Sequence, residues 1–154
     1  LVIMAYDMAS YIWGACIATP NSPPPQVLQG LLNYLALPGV TPNSLELALP
    51  WYGRGYACAD GTAPDARYCP IYKPKSWRDA PCTDSGAGPI DFESVIDILA
   101  SNKSTSGPAQ LDTMMQQSWF NMVDPRTNRT HQYWYDDVDS LSVKYEYVAK
   151  HDLR

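Results

Sequence analysis

The sequence has 154 residues, enough for one folded domain, and its apolar content of 45% excludes a chain that is disordered throughout. Its formal charge of −5, with 11 Lys and Arg residues that never cluster, leaves no basic stripe for nucleic acid and no cationic face for a membrane. No stretch approaches the ~20 apolar residues of a membrane span. We therefore expect a neutral or weakly charged ligand.

Two apolar runs flank a predicted helix in the first third of the chain. Residues 1–5 form a continuous apolar run, which is typical of a parallel strand covered on both faces. The prolines at 23–25 predict the start of a helix, whose apolar stripe ends before Pro38-Gly39. Residues 45–49 form the second apolar run. The pattern predicts a strand-helix-strand unit over residues 1–54, with its two strands as parallel neighbours.

The stretch from residue 55 to about 88 is rich in loops and cysteines, which predicts an insertion held by crosslinks. No cysteine belongs to the CxxC pair expected of a metal or redox site, so we predict two disulfides, with free thiols as the alternative. Three pairings are open. The cysteines are Cys16, Cys58, Cys69 and Cys82.

Two acceptor triplets predict N-glycosylation, at Asn102 (Asn102-Lys103-Ser104) and Asn128 (Asn128-Arg129-Thr130). Glycosylation and disulfides both occur along the secretory pathway, so together they predict a lysosomal or secreted protein.

The second half predicts a helix, a hairpin and a last helix. Asp91 is expected to cap a helix over residues 92–99. Residues 119–123 and 131–135 predict two strands joined by a polar turn, so the insertion would extend over about 55–135. The last helix is predicted over 139–150 with Asp139 or Ser140 as its cap. Its expected inner face contains Leu141, Tyr145, Val148 and Ala149.

Three segments resemble motifs of the family 18 glycoside hydrolases. Met4-Ala5-Tyr6-Asp7 resembles the Met-x-Tyr-Asp motif at the end of the sixth barrel strand, and residues 45–54 resemble the seventh strand with its Pro-x-Tyr-Gly-Arg ending. Residues 132–137, followed by Ser140 and Lys144, are similar to the hairpin and helix before the last barrel strand. The resemblance implies an α/β fold: a partial TIM (β/α)8 barrel with an inserted α+β and loop region. Its partner would be the rest of its own barrel.

Within that family, the chain is similar to the di-N-acetylchitobiase subgroup. The similarity rests on Pro50-Trp51-Tyr52-Gly53, on Tyr56-x-Cys58, on Ala80-Pro81-Cys82 and on the positions of Cys16 and Cys69. Arg54 follows the general family pattern and departs from the subgroup.

The resemblance implies retaining, substrate-assisted hydrolysis of β-1,4 bonds beside N-acetylglucosamine, without a metal or cofactor. Catalytic roles are implied for Tyr6, which would donate to the acetamido oxygen, and for Asp7, which would bind sugar hydroxyls or help to place the proton donor. The ligand would be an oligosaccharide that contains N-acetylglucosamine. The substrate-binding residues implied are Met4, Trp51, Tyr52, Arg54 and Trp134, the two tryptophans by stacking on sugar rings.

The family's Asp-x-x-Asp-x-Glu motif, whose Glu donates the proton, has no counterpart in this sequence. The chain alone is therefore predicted to be inactive. A sugar-binding lectin with the same fold is the alternative function. A third hypothesis is an independent disulfide-linked binding domain with chance motif matches and no exposed sheet edge.

Each candidate residue also has a structural interpretation. Tyr6 and Asp7 could form an ordinary solvated strand end, and Arg54 could pair with an acid of the insertion. Trp51 and Tyr52 could pack beneath the insertion. Core packing is the alternative for Trp134, Trp119 and Trp77, and solvent exposure is expected for His131 and His151.

Overall fold

In a computed structural model, the protein is described over residues 1–8, 16–73 and 86–154, so Trp13, Trp77 and Cys82 lie outside the described residues. The described part is mixed α/β. Its elements in chain order are β1 (Val2–Met4), α1 (Pro24–Leu35), a 3-10 turn (Pro42–Ser44), β2 (Glu46–Ala48), β3 (Tyr52–Ala57), β4 (Ala87–Asp91), α2 (Phe92–Ala100), β5 (Gln110–Asp112), β6 (Gln117–Asp124), β7 (Arg129–Tyr135) and α3 (Val138–Lys150).

The predicted strand-helix-strand unit is present. Strands β1 and β2 are parallel, with Ile3 opposite Leu47. Helix α1 begins with proline in its first turn, where the missing N–H would have had no partner in any case. Its residue Leu31 packs with Ile3 and Leu45 in an apolar cluster that also receives Tyr147 of α3. The apolar pattern thus predicted the strand pairing as well as the helix.

The region predicted as an insertion contains a five-stranded antiparallel sheet in the order β4-β3-β7-β6-β5. Strand β3 begins at Tyr52, three residues before the predicted start of the insertion at about 55. Two glycines of β3 allow its close approach to β7. A Cβ added at Gly53 would lie 2.5 Å from the backbone oxygen of Trp134, and one at Gly55 would lie 2.9 Å from the ring of Tyr133. The segment predicted as loops therefore contributes strands at both of its ends.

Cys58 and Cys69 form a disulfide in the loop that follows β3. Both are fully buried and pack with Ile71 and Tyr56 in the apolar cluster on one face of the sheet. Cys16 is also disulfide-bonded. The prediction of disulfides in place of free thiols is confirmed for these three residues.

Helix α3 corrects two expectations. Its cap is Asp137, whose carboxylate accepts a hydrogen bond from the Ser140 backbone N–H at 2.9 Å, so neither Asp139 nor Ser140 is the cap. Its buried residues are Ser140 and Lys144, whereas Tyr145 is 54% exposed. Leu141 and Val148 of the predicted face are half-buried, but the apolar periodicity missed the innermost position, which Lys144 takes through its buried ion pair with Asp136.

Among the described ranges, no helix combines the length and the apolar character needed to cross a bilayer.

Candidate active site

The candidate site lies where β1 and β2 end. Because the two strands are parallel, their carboxyl ends lie at the same edge of the sheet, the edge at which α/β proteins usually bind ligands. Tyr6 and Asp7 follow β1. Trp51 comes three residues after the end of β2, and Tyr52 and Arg54 lie within β3.

Asp7 is the common partner of two neighbouring side chains. The Tyr52 hydroxyl donates to Asp7 Oδ1 at 2.9 Å, and Arg54 forms an ion pair with the same oxygen at 3.3 Å. The Asp7 side chain remains 54% exposed, whereas Arg54 is 18% exposed. Three of the predicted site residues thus form one hydrogen-bonded cluster open to solvent.

Tyr6 completes the cluster through a ring contact. Its ring lies edge-on to that of Tyr52, with centroids 6.2 Å apart. Burial raises the pKa of Tyr52 to about 12, and the hydrogen bond to Asp7 acts in the same direction. Tyr52 is therefore protonated near neutral pH and donates its proton to the Asp7 carboxylate.

Asn21 is a site residue that sequence reasoning missed. Its side-chain oxygen accepts from the Asp7 backbone N–H at 3.1 Å, and its side-chain nitrogen donates to the Tyr52 carbonyl at 3.3 Å. Asn21 is fully buried, and Asp7 has a left-handed φ of 55°. The one signal in the sequence was a polar pair, Asn21-Ser22, directly before the prolines that start α1.

Trp51 and Met4 are on the surface near the cluster, 74% and 67% exposed respectively. Trp51 lines a cavity of about 220 Å³ whose walls are mostly apolar. Among the described residues Trp51 is thus not packed beneath the insertion, and its ring is available to a ligand. The other lining residues are Pro50, Tyr52, Phe92, Tyr135, Asp136, Asp137, Val138 and Leu141.

Trp134 is not available to a ligand, which corrects its predicted role in sugar stacking. It is 1% exposed, packs against Trp119 with ring centroids 6.2 Å apart, and donates from its indole N–H to Gln132 Oε1 at 3.0 Å. Trp134 lies opposite Arg54 in the pairing of β3 with β7, and its ring packs in the apolar cluster that contains Tyr56 and the Cys58–Cys69 disulfide. The alternative of core packing holds for Trp134 and for Trp119, which is 2% exposed.

The two histidines are partly buried, which corrects their expected exposure. Desolvation lowers the pKa of His131, so it is neutral near pH 7. Within the part of the chain that the structure describes, no three His, Cys, Asp or Glu side chains are grouped to hold a metal ion. Asn102 and Asn128, the predicted glycosylation sites, are both exposed.

Comparisons with known proteins agree with the predicted resemblance. The chain is 36% identical to di-N-acetylchitobiase of Mus musculus and 33% identical to that of Homo sapiens, over 154 residues in each case. Each match covers 100% of this chain, and 40% and 38% of the relatives. The chain thus spans about two fifths of the length of these curated relatives. No family model matches it.

Solved structures show the same fold. A chitinase from Chromobacterium violaceum superposes with a TM-score of 0.66 at 17% identity, over 99% of this chain and 37% of that chain. The spore cortex-lytic enzyme of Bacillus megaterium gives a TM-score of 0.64 at 20% identity, over 99% of this chain and 28% of that chain. Similarity over the full chain rules out the hypothesis of chance matches between short motifs. The chain is therefore chitinase-like and is similar over its whole length to the di-N-acetylchitobiases.

Proposed function

We propose that this chain is part of a glycoside hydrolase that cleaves β-1,4 bonds beside N-acetylglucosamine, in the chitobiose core of N-glycans or in chitin oligosaccharides. The observation that carries the proposal is the hydrogen bond from the Tyr52 hydroxyl to Asp7, at the carboxyl edge of β1 and β2. It places a protonated phenol and a solvent-exposed carboxylate side by side. The names of the curated relatives support the substrate class.

The proposed reaction is substrate-assisted and retaining. The acetamido oxygen of the sugar attacks the anomeric carbon, the bond to the leaving oxygen breaks, and that oxygen takes a proton from a carboxylic acid. Water then attacks the anomeric carbon on the face opposite the acetamido oxygen, the bond to that oxygen breaks, and the carboxylate takes a proton from the water. The acetamido group must be held in line while positive charge develops on it, so fixed polar side chains contribute to the rate.

The cluster supplies such groups in this proposal. Tyr6 donates to the acetamido oxygen, and Asp7 accepts from the sugar or helps to place the proton donor. Tyr52 and Arg54 hold the Asp7 carboxylate from one side, through the contacts at 2.9 and 3.3 Å. Met4 and Trp51 contact the sugar at the rim, where both are exposed.

We propose that the proton-donating Glu and the other barrel strands come from the rest of the intact protein. Support comes from β1, where Val2 and Met4 are 55% and 67% exposed, although parallel strands are usually covered on both faces. In this proposal β1, α1, β2 and α3 belong to a TIM barrel, and the antiparallel sheet is inserted into it. The chain alone would be inactive.

The disulfide between Cys58 and Cys69 supports a lysosomal or secreted location, where thiols are oxidised. Glycans at Asn102 and Asn128 would be tolerated there because both residues are exposed.

The test is hydrolysis of N,N′-diacetylchitobiose by the intact protein. Proton NMR identifies which anomer of the product forms first. We expect release of N-acetylglucosamine with retention, and a kcat about 100-fold lower in Asp7→Asn, since misplacing one reacting group can cost that much. Asp139→Asn is the control, because Asp139 is exposed on α3 outside the cluster. Sugar binding without hydrolysis would support the lectin instead. If the intact protein neither binds nor hydrolyses the sugar, both functions are refuted.

A further inference from the structure

Lys144 of α3 is fully buried and makes three charge-assisted hydrogen bonds. Its ammonium lies 2.7 Å from each carboxylate oxygen of Asp136 and donates to the Ser22 hydroxyl at 2.8 Å. An ammonium has three protons, so these contacts use all of them. Ser140 donates to the same Asp136 carboxylate at 2.8 Å, which fixes its orientation. The ion pair therefore joins α3 and the end of β7 to the segment before α1.

The Ser22 hydroxyl carries this connection to the candidate site. It accepts from Lys144 and donates its own proton to the Ala5 carbonyl, immediately before Tyr6. The backbone N–H of Ser22 donates to Gln117 Oε1 at 3.2 Å, so the residue is also held from β6. Ala5 in turn donates to the Ala48 carbonyl at 3.0 Å, which ties it to β2.

Residues 21 and 22 together hold both sides of Tyr6. Ser22 donates to the carbonyl of Ala5, the residue before Tyr6. Asn21 accepts from the backbone N–H of Asp7, the residue after Tyr6. Both contacts are to backbone atoms, so they set the path of the chain through the cluster without engaging the side chains of Tyr6 and Asp7.

A buried ion pair contributes little net stability, because desolvation opposes the attraction between its charges. An apolar pair would often be equally stable at this position, but it could not orient a hydroxyl. The geometry thus indicates a role in orientation.

We propose that Ser22 is a positioning residue, which the buried pair of Lys144 and Asp136 orients so that its hydroxyl sets the placement of Tyr6 and Asp7. The kinetic part of this proposal rests on the proposed function, whereas the structural part does not.

The kinetic test is Ser22→Ala in the intact protein with N,N′-diacetylchitobiose. We expect kcat to fall about 10- to 100-fold, as for a misplaced reacting group, with KM changed less than about twofold. The matched control is Thr130→Val, which also removes a buried hydroxyl bonded to a carbonyl, that of Thr62, but in the antiparallel sheet. A fall in kcat of the same size in the control would overturn the proposal.

If Ser22→Ala does not fold, Ser22→Thr and Ser22→Val form a second pair. The two side chains have nearly the same volume and differ in the hydroxyl group. The proposal requires the threonine variant to have the higher kcat, and equal values contradict it.

A spectroscopic test separates this proposal from the hydrolase proposal. Tyr52 faces Asp7 and Tyr6, and its pKa of about 12 depends partly on the bond to Asp7. Displacement of Asp7 in Ser22→Ala should lower that pKa towards 10, as measured by carbon NMR of labelled tyrosine, with Tyr52→Phe to assign the signal. A lowered pKa supports positioning even in a protein that hydrolyses nothing. An unchanged pKa overturns it, whatever the rate.

Discussion

Trp51 and Trp134 have the same side chain and opposite environments. The first is 74% exposed beside the cluster and the second is 1% exposed beneath the sheet. The motif resemblance implied one role for both, and local sequence could not separate them. What separates them is the pairing of β3 with β7, which turns Trp134 towards Trp119.

We expect alanine substitutions of these two residues to have different effects. Trp134→Ala should lower the free energy of unfolding by about 3–5 kcal/mol, as large core truncations do. Trp51→Ala should change it by less than about 0.5 kcal/mol. If Trp51 stacks on the sugar, its loss should raise the KM for N,N′-diacetylchitobiose about 3- to 10-fold. Urea unfolding and steady-state kinetics on the intact protein measure both effects, and an unstable Trp51→Ala would show that its ring packs against the protein.

The ion pair of Lys144 and Asp136 is the second feature at this scale. Burial raises the pKa of Asp136 and lowers that of Lys144, and the attraction between the two charges opposes both shifts. Each charge therefore depends on the other to remain in the core.

Removing one partner of this ion pair should lower the free energy of unfolding more than removing both. We expect Lys144→Met to lower the free energy of unfolding by about 3–5 kcal/mol, because it leaves the Asp136 charge buried without its partner. The double variant Asp136→Leu with Lys144→Met should recover much of that loss. Urea unfolding of the wild type and the variants tests this, and additive losses would contradict it.

At the scale of elements, single polar side chains cap the starts of α2 and α3. Asp91 was predicted from its position before the apolar stripe of α2, and it accepts from the Ser94 N–H at 2.7 Å. The cap of α3 was predicted two or three residues too late. Asp136, Asp137 and Asp139 all precede or begin that helix, and a run of acids offers several equivalent caps to sequence reasoning.

The cap of α3 can be tested with a matched pair of acids. We expect Asp137→Ala to lower the free energy of unfolding by about 1–2 kcal/mol, the usual effect of losing a helix cap. Asp139→Ala, in the first turn and exposed, should have an effect within about 0.5 kcal/mol. Thermal unfolding of the two variants decides between them, and the reverse order would restore the cap predicted from the sequence.

The cap of α2 should make that helix sensitive to acid. Hydrogen bonds from Ser94 lower the pKa of Asp91 below its ordinary value of 3.8. Because the pKa is lowered in the folded protein, the charged cap contributes its full stability at pH values above the ordinary pKa of 3.8. That contribution is lost as the pH falls through the lowered pKa. NMR titration of the Ser94 amide should show a midpoint below 3.8. Asp91→Asn keeps a capping oxygen that does not titrate, so the transition should vanish in that variant.

At the scale of the whole molecule, two sheets of different kinds meet at the cluster. The parallel pair carries Tyr6 and Asp7 at its edge, and the antiparallel sheet provides Tyr52 and Arg54 at the start of β3. The antiparallel sheet is in turn linked to its own loop by the disulfide of Cys58 and Cys69.

Removing that disulfide should destabilise the protein mainly through the unfolded chain. Its cysteines are 11 residues apart, and both are fully buried. We expect the double variant Cys58→Ala with Cys69→Ala to lower the free energy of unfolding by about 2–4 kcal/mol. Urea unfolding under non-reducing conditions gives the value, and an unchanged midpoint would show that the bridge adds no stability.

The sequence by itself determined the local elements of this protein. Apolar runs, prolines and a polar turn predicted the parallel pair of strands, α1, α2 and the hairpin of β6 and β7, because these patterns depend on neighbours along the chain. The order of short motifs also determined the chitinase-like resemblance, since a motif reflects residue identity at fixed spacing.

Only the tertiary structure decided which side chains are inside. Asn21, Ser22 and Lys144 are polar and fully buried, and Trp51 is aromatic and exposed, against the usual preference of each residue type. Their burial depends on contacts with residues far away in the sequence, such as the bond of Lys144 to Ser22 across 122 positions. Periodicity carries no information about such partners, so the inner face of α3 and the support of Tyr6 and Asp7 became visible only in the folded chain.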